Sequence, residues 1–251
     1  MVSVEVHTLT IVSNDLPEVE RQQIVREYEG RTIPLEELVE RIRQNLRDSG
    51  YAEASAEIPQ LAAMVSAPPA RSVDVTVRVT AGAKYQLDAI RFENASAFTT
   101  EQLRSRFPIE SGALFNAAAI GRGLDQLRDL YGSKGYINFG AIPKLEFDEA
   151  RHTVNLTIDV DEGRVFAFGR LFFDGVEPHA GASKELLAAW DSLEGKTYNS
   201  RLLADWLATN ATFAPETERK LYGCISPHLN PDMSHVDFQL DFPDIRSEPP
   251  R

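Results

Sequence analysis

The sequence predicts an α+β protein built of three tandem β-α-α-β-β repeats, each a three-stranded mixed sheet covered by two helices. Three observations lead to this prediction: an internal repeat, strands marked by strict alternation of apolar residues, and helices marked by an apolar stripe of helical period. The length of 251 residues and the hydrophobic content of 43% suit a folded chain. Each repeat is the size of a small domain.

The internal repeat is marked by a glycine that recurs at nearly constant spacing. Gly30, Gly112 and Gly195 stand 82 and 83 residues apart, and each is followed three residues later by an apolar side chain. Apolar residues also recur five positions before each glycine, and eight and twelve positions after it. The repeats predict three domains and a short linker or tail. Their predicted bounds are 1–83, 84–163, 164–246 and 247–251.

Each repeat is predicted to open with a strand and continue with two helices. In the first repeat, alternating valines over 2–6 indicate the opening strand. The first helix is predicted over 17–28 and is expected to end at Gly30, because glycine suits a left-handed C-cap. Pro34 then suits the first turn of the second helix, and its apolar stripe runs over 35–46.

Two further strands are predicted to close each repeat. The segments 52–60 and 137–147 each indicate a strand that contains a proline, and they precede the strictly alternating segments 73–79 and 154–160. Alternation returns over 236–242 at the end of the third repeat. The long alternating strand is therefore expected at the centre of each sheet.

The prolines indicate which strand lies on an edge. Pro59, Pro143 and Pro227 recur at intervals of 84 residues. Proline has no N–H to donate to a ladder, so it belongs on edge strands, where it also limits uncontrolled pairing with other chains. The proline-containing strand of each repeat is therefore predicted to be an open edge.

The charge and cysteine content exclude several classes of function. The net charge of −12 is spread evenly along the chain, and such a surface repels the phosphates of nucleic acids. The one cysteine, Cys224, cannot form an intramolecular disulfide. The first twenty residues are acidic and lack the basic start of a signal peptide. No apolar run approaches the ~18 residues of a membrane span.

No arrangement of residues predicts a catalytic, cofactor or metal site. His228 and His235 lie near Asp232 and Asp237, but their spacing matches no standard zinc site. Cys224 has no histidine or basic neighbour in a motif that would activate it. The chain is therefore predicted not to be an enzyme and to need no cofactor. An enzyme or metal protein whose residues are dispersed along the chain is the open alternative.

Two kinds of segment resemble the polypeptide-transport-associated (POTRA) domain family. The segments 81–94 and 162–175 resemble the junction between consecutive POTRA domains, where a short glycine turn joins two strands. Gly50–Tyr51 and Gly135–Tyr136 resemble the glycine-tyrosine ending of that family's second helix. The third repeat departs from this pattern over 210–220.

The resemblance implies the periplasmic part of an outer-membrane protein assembly or translocation factor, of the barrel-assembly or the translocation-and-assembly-module type. In that family tandem POTRA domains precede an outer-membrane barrel and receive unfolded client chains or other assembly subunits. A barrel-less POTRA scaffold protein of the cell envelope is the alternative.

An edge strand can capture an extended client segment by β-augmentation, with little dependence on its side chains. Phe139 and Ile142 are expected to shape the adjoining groove. If the prolines only protect the edges, partners would instead dock on helix faces. The candidate partner-binding residues are Ala54, Ala56, Ile58, Asn138, Phe139, Ala141, Ile142, Tyr222, Cys224 and Ile225.

Overall fold

The computed structural model describes residues 3–58, 61–67, 70–175, 181–210, 225–230 and 234–242. Within these ranges the chain forms eleven strands and six helices, and the strands make three mixed sheets. The α+β class and the tandem arrangement predicted from the sequence are confirmed.

The first repeat has more strands than the sequence predicts. Its elements are β1 (Ser3–Val12), α1 (Glu18–Tyr28), β2 (Thr32–Pro34), α2 (Leu35–Asp48), β3 (Ser55–Glu57), β4 (Leu61–Ala67) and β5 (Ala70–Thr80). The sheet order is β2-β1-β5-β3, and β4 also pairs with β5. The strand predicted over 52–60 is the shorter β3, and β4 follows it as a strand that was not predicted. Both strands are antiparallel to β5.

The second and third repeats each have a three-stranded sheet. The second consists of β6 (Gln86–Glu93), α3 (Thr100–Arg104), α4 (Ala117–Gly132), β7 (Gly140–Asp148) and β8 (Thr153–Asp161), in the sheet order β6-β8-β7. The third consists of β9 (Ala167–Gly175), α5 (Ala182–Trp190), α6 (Ser200–Thr209), β10 (Ile225–Leu229) and β11 (His235–Phe242), in the order β10-β11-β9. The strand β11 is antiparallel to β10 and parallel to β9.

The helices bury the apolar stripes that the sequence shows. Leu38, Ile42 and Leu46 form the buried face of α2. Asn199 caps α6 through its side-chain oxygen, which accepts from the N–H groups of the first helical turn. Asn116 caps α4 in the same way, accepting from Ala119 at 2.7 Å.

The buried residues of the outer repeats form separate clusters. One contains side chains of the first repeat, from Val4 to Ala81. The other contains side chains from Phe168 to Leu240, with Trp190 fully buried at its centre. The indole N–H of Trp190 donates to the carbonyl oxygen of Gly169 at 2.9 Å. Trp190 and Trp206 are both core residues.

The signature glycines share a role that the sequence does not predict. Their φ angles are positive, at 78°, 84° and 76° for Gly30, Gly112 and Gly195. The prediction that a glycine caps the first helix is wrong for Gly112 and Gly195, because α3 ends at Arg104 and α5 at Trp190, several residues earlier. Gly30 does lie at a left-handed cap position, two residues after α1 ends at Tyr28. Each glycine turns the chain back to the first strand of its own repeat. The N–H of each glycine donates to a carbonyl oxygen of that strand: Gly30 to Val6 at 2.6 Å, Gly112 to Leu87 at 2.7 Å and Gly195 to Phe168 at 2.8 Å.

The chain divides into two compact units, and the division runs through the second repeat. One unit comprises Met1–Glu93, Thr100–Leu124 and Pro143–Ile158. The other comprises Asn94–Thr99, Asp125–Ile142 and Asp159–Arg251. Each unit therefore contains one outer repeat together with part of the middle one.

Candidate protein-binding edges

The proline-containing strands lie at the edges of the sheets. The strand β7 ends the order β6-β8-β7, and β10 ends the order β10-β11-β9. The strictly alternating strands β8 and β11 take the centre, as the sequence predicts. Pro143 and Pro227 are therefore edge residues, whereas Pro59 lies outside the described residues.

The register of β10 shows which of its backbone groups face the open side. Residues of an antiparallel pair alternate between hydrogen-bonded and non-bonded pairs. Asn230 donates its N–H to the carbonyl oxygen of His235 at 3.1 Å, which makes this a bonded pair. Counting back by two along the register, Ser226 and His228 also face β11. The residues whose backbone groups face the open edge are then Ile225, Pro227 and Leu229.

The position of Pro227 has a direct consequence for binding. Its missing N–H faces the open edge, so the ladder between β10 and β11 is intact. An incoming strand meets N–H donors at Ile225 and Leu229 and only a carbonyl acceptor at Pro227 between them. The proline thus weakens the edge without closing it.

The strand β7 contains a run of five exposed residues. The side chains of residues 142–146 are all exposed, and Ile142 is 63% and Leu145 39% accessible. Because a proline nitrogen in an edge strand belongs on the open side, Pro143 marks Ala141 and Leu145 as the residues that share that side. The aromatic ring of Phe147 packs edge-on against Tyr85 at 4.9 Å and holds the far end of the strand.

Two of the candidate residues in the second repeat are not in the edge strand. The strand was predicted over 137–147, but β7 begins at Gly140, so Asn138 and Phe139 precede it. The N–H of Phe139 donates to the carbonyl oxygen of Tyr136 at 3.2 Å in a tight turn. Its ring stacks on Tyr131 at 4.2 Å between centroids. Turn formation and aromatic stacking therefore override the strand pattern here, whereas Ala141 and Ile142 do lie in β7.

The candidates of the first repeat divide in the same way. Ala56 lies in β3, opposite Val79. Ala54 precedes the strand, is fully buried, and donates its N–H to the carbonyl oxygen of Tyr51 at 3.0 Å. Ile58 follows the strand and packs against the core of the repeat. The turn after Tyr51 delays the start of the strand and leaves Ala54 outside it, and Ile58 lies beyond its end, so neither residue is in the edge strand.

The third repeat supplies one described candidate residue. Ile225 is the first residue of β10 and pairs with Leu240. Tyr222 and Cys224 lie outside the described residues.

In the second repeat a carboxylate connects the end of the last strand to the loop after the first strand. The sequence did not indicate this role. Glu162 follows β8 and accepts from the N–H groups of Ser96 at 2.7 Å and Ala97 at 2.8 Å. It also accepts from the hydroxyl groups of Ser96 and Tyr131. Burial raises the pKa of Glu162, but these hydrogen bonds lower it by more, so the pKa lies below its ordinary value. Burial raises the pKa of the Tyr131 hydroxyl, and its bond to Glu162 raises it further.

In the first repeat a carboxylate makes the corresponding connection, but it lies in the loop after the first strand. Asp15, in the loop after β1, accepts from the N–H groups of Gly82 at 2.8 Å and Ala81 at 3.1 Å. The bond from Gly82 is the main cause that lowers the pKa of Asp15. In both repeats an acidic side chain therefore ties the loop after the first strand to the end of the last strand. The carboxylate comes from the loop in the first repeat and from the strand end in the second. The regular spacing of the repeats therefore does not reveal it.

At each glycine-tyrosine pair, the glycine accepts a backbone hydrogen bond from the start of the next repeat. The carbonyl oxygen of Gly50 accepts from the N–H of Tyr85, and that of Gly135 accepts from Phe166, both at 2.9 Å. Both glycines have positive φ, 100° and 92°. A Cβ at Gly135 would lie 2.9 Å from the carbonyl oxygen of Phe166, so there is no room for a side chain.

The arrangement favours binding by backbone groups. In the described part of the chain, no three His, Cys, Asp or Glu side chains group as metal ligands would. Among the same residues, no helix is both long and apolar enough to cross a membrane. The edges β7 and β10 present N–H and C=O groups in extended geometry, which is the arrangement that another strand needs.

Comparison with known proteins agrees with this architecture. Residues 85–163 match the family model described as "POTRA: Surface antigen variable number repeat". The outer membrane protein assembly factor BamA of Buchnera aphidicola subsp. Acyrthosiphon pisum (strain APS) is 24% identical over 114 residues, covering 41% of this chain and 18% of the relative. The chain thus matches under a fifth of that relative's length.

A solved structure has the same fold over nearly the whole chain. The crystal structure of BamA POTRA3-5 from Haemophilus influenzae superposes with a TM-score of 0.71 at 20% sequence identity, covering 96% of this chain and 97% of that one. Its three consecutive POTRA domains correspond to the three repeats. Residues 85–163 therefore match the POTRA family model, and the chain as a whole is a tandem array with the POTRA fold.

Proposed function

We propose that this array is the periplasmic protein-binding module of an outer-membrane protein assembly or translocation factor, and that it captures unfolded client or partner chains by β-augmentation. The proposal includes attachment to an outer-membrane β-barrel that follows the array. The matched family and the similarity to an outer membrane protein assembly factor support the setting.

The observation that carries the capture mechanism is the open edge of β7. Its residues 142–146 are exposed, and both Ile142 and Leu145 present apolar surface to solvent. An extended chain that pairs with β7 gains main-chain hydrogen bonds whatever its sequence, and the apolar side chains add contact area. This combination suits a receptor for many different unfolded chains.

The prolines set a limit on this capture. Pro143 in β7 and Pro227 in β10 each remove one donor from the open side. A client strand therefore forms an interrupted ladder, which favours reversible binding over permanent sheet extension. Reversibility is what a module that passes clients on requires.

The test uses photo-crosslinking to a urea-unfolded outer-membrane β-barrel precursor, diluted into the full chain. A photoreactive residue replaces Ile142, and Ala141→Pro is then introduced beside it. Ala141→Pro removes one donor from the open side and leaves the ladder to β8 intact, so crosslinking is expected to fall about tenfold with an unchanged circular dichroism spectrum.

Ala141→Val is the matched control, because valine keeps the N–H and suits a strand. It is expected to crosslink like the parent chain. Equal crosslinking in the Ala141→Pro and Ala141→Val chains would show that the client does not pair with β7.

Docking on helix faces is the second candidate, and exposed apolar residues in the third repeat favour it. Leu187 on α5 is 42% exposed and Leu202 on α6 is 39% exposed. Such a surface suits a folded partner, as in a barrel-less scaffold of the cell envelope. Crosslinks from these two positions, with none from Ile142, would select this function over client capture.

A further inference from the structure

The joint between the first and second repeats contains charged side chains in addition to its main-chain bond. Lys84 directly precedes Tyr85, whose N–H donates to the carbonyl oxygen of Gly50. The ammonium nitrogen of Lys84 lies 3.0 Å from a carboxylate oxygen of Glu20 in α1 and 4.9 Å from the centroid of the Tyr51 ring. A cation is attracted by both groups. Lys84 therefore attaches the start of the second repeat to two separate parts of the first.

Another carboxylate of the first repeat reaches into the second. Asp48 is the last residue of α2, and its carboxylate accepts from the N–H of Ala118, in the first turn of α4, at 2.8 Å. Its carbonyl oxygen accepts from the side-chain amide of Asn116, also at 2.8 Å. Asn116 and Asp48 thus cap the same helix, one from each repeat, and a negative charge is favourable at a helix N-terminus. The long helix of the second repeat therefore takes part of its cap from the first repeat.

These contacts lie together and are partly open to solvent. All of them fall within one compact unit of the chain, with a further bond from the hydroxyl of Tyr85 to the carboxylate of Glu53 at 2.8 Å. The side chains of Lys84 and Glu20 are 39% and 27% exposed. Salt screens an ion pair with this exposure. The joint is therefore expected to respond to ionic strength.

The same positions of the second joint carry no charge. Asp48 is replaced there by Ser133, Glu53 by Asn138 and Lys84 by Val165. Instead, the side chain of Ile137 packs against the buried cluster of the third repeat. Apolar packing of this kind is not an interaction between charges, so salt does not screen it. The two joints share the main-chain bond but differ in what supports it.

We propose that Lys84, Glu20 and Asp48 form a charge-dependent latch, which fixes the second repeat against the first and whose release lets these two repeats bend. The main-chain bond from Tyr85 to Gly50 holds the repeats at one point, and the latch adds contacts on both helices of the first repeat. Release changes the angle at this joint without unfolding either repeat. This proposal goes beyond client capture and does not depend on it.

The experiment measures distances between pairs of spin labels by double electron–electron resonance in the full chain, with Cys224 replaced by serine. One pair, Glu36→Cys with Arg122→Cys, spans the first joint, and the other, Gln126→Cys with Ala188→Cys, spans the second. All four labelled positions are exposed. Raising NaCl from about 0.1 M to about 1 M shortens the screening length from about 10 Å to about 3 Å, so the distance distribution across the first joint is expected to widen about twofold. The distribution across the second joint is expected to keep its width.

Two variants open the latch without added salt. Lys84→Met keeps the apolar stem but loses the ammonium group, so it is expected to give the wide distribution in low salt and no further widening in high salt. Asp48→Ala removes the acceptor for Ala118 and is expected to widen the same distribution. Arg41→Met is the matched control, because it removes an exposed ion pair within α2, and it is expected to behave like the parent chain.

A first-joint distribution that keeps its width in high salt would overturn the proposal, and so would equal widening across both joints. The same holds for a Lys84→Met chain whose distribution in low salt matches that of the parent chain. Circular dichroism spectra equal to that of the parent chain are expected for all three variants, because Lys84, Asp48 and Arg41 lie outside the buried core.

Discussion

At the scale of single residues, two carboxylates connect the loop after the first strand to the end of the last strand, one in each of the first two repeats. Glu162 accepts from two backbone N–H groups and two hydroxyl groups, and Asp15 accepts from two backbone N–H groups. Composition and periodicity did not predict either role. A carboxylate at a turn has the same sequence signature whether it is solvated or bonded, and only the fold brings Ser96 to Glu162.

Replacement of Glu162 by glutamine tests the strength of this closure. Glutamine keeps one acceptor oxygen but directs an NH₂ group toward backbone donors, so Glu162→Gln is expected to lower the free energy of unfolding by about 1–3 kcal/mol. Urea unfolding followed by circular dichroism measures the change. Glu110→Gln, at an exposed carboxylate, is the control and is expected to have no effect beyond about 0.5 kcal/mol. Equal losses in both variants would contradict the role of Glu162.

The pH dependence of stability follows from the lowered pKa of Asp15. A carboxyl group whose pKa is lower in the folded state stabilises the fold above its unfolded pKa, and this stabilisation is lost as the pH falls through the folded pKa. The advantage of the parent chain over Asp15→Asn is therefore expected to be constant above about pH 5 and to shrink below about pH 4. Urea unfolding across this range measures it, and a difference that grows on acidification would contradict the assignment.

At the scale of elements, the strand patterns were reliable and the strand starts were not. Alternation identified β5, β8 and β11 correctly, because burial of one face imposes period two. The starts of β3 and β7 were predicted too early. In both cases a turn that follows a glycine-tyrosine pair uses the backbone groups first, at Ala54 and at Phe139.

The short β2 was also missed. Three residues between two helices are too few to show alternation, and their pairing with β1 depends on the turn at Gly30. In each of the other two repeats, the segment after the glycine pairs with the start of the first strand through one isolated β-bridge. The bridges are Gln86 with Leu114 and Ala167 with Thr197. The shared glycine was visible in the sequence, but its part in returning the chain to the first strand was not.

The joint at Gly135 gives a prediction at this scale. Gly135→Ala and Gly195→Ala both place a Cβ at positive φ, which costs about 1–2 kcal/mol. A Cβ at Gly195 meets open space, whereas one at Gly135 lies 2.9 Å from the Phe166 oxygen, from Val165 and from Thr197. Gly135→Ala is therefore expected to lose about 1–3 kcal/mol more than Gly195→Ala. Urea unfolding followed by tryptophan fluorescence measures both, and similar losses would contradict the packing argument.

At the scale of the whole molecule, the repeat was the strongest signal in the sequence. Three similar segments predicted three sheets, and the fold similarity to three consecutive POTRA domains agrees with that count. The bounds 1–83, 84–163 and 164–246 are proposed as the folding units. The cluster of buried residues from Val4 to Ala81 lies wholly within the first of them.

A fragment of residues 1–83 is accordingly expected to fold alone. Its buried side chains come from β1, both helices and β5, so the core does not require the second repeat. Dispersed amide signals in its NMR spectrum and a cooperative urea transition would show this. The fragment 164–251 lacks Ile137, which packs against the buried cluster of the third repeat, and is expected to be the less stable of the two. An unfolded 1–83 fragment would contradict the proposed bounds.

The joints between repeats also bear on how such arrays arise. Tyr85 and Phe166 connect to Gly50 and Gly135 through main-chain atoms, and any residue with an N–H can make that bond. A duplicated repeat inserted at such a joint needs a glycine on one side and little else in its sequence. Gene duplication can therefore lengthen or shorten the array while each copy diverges freely, and the low identity between repeats with one shared fold is the expected record of that history.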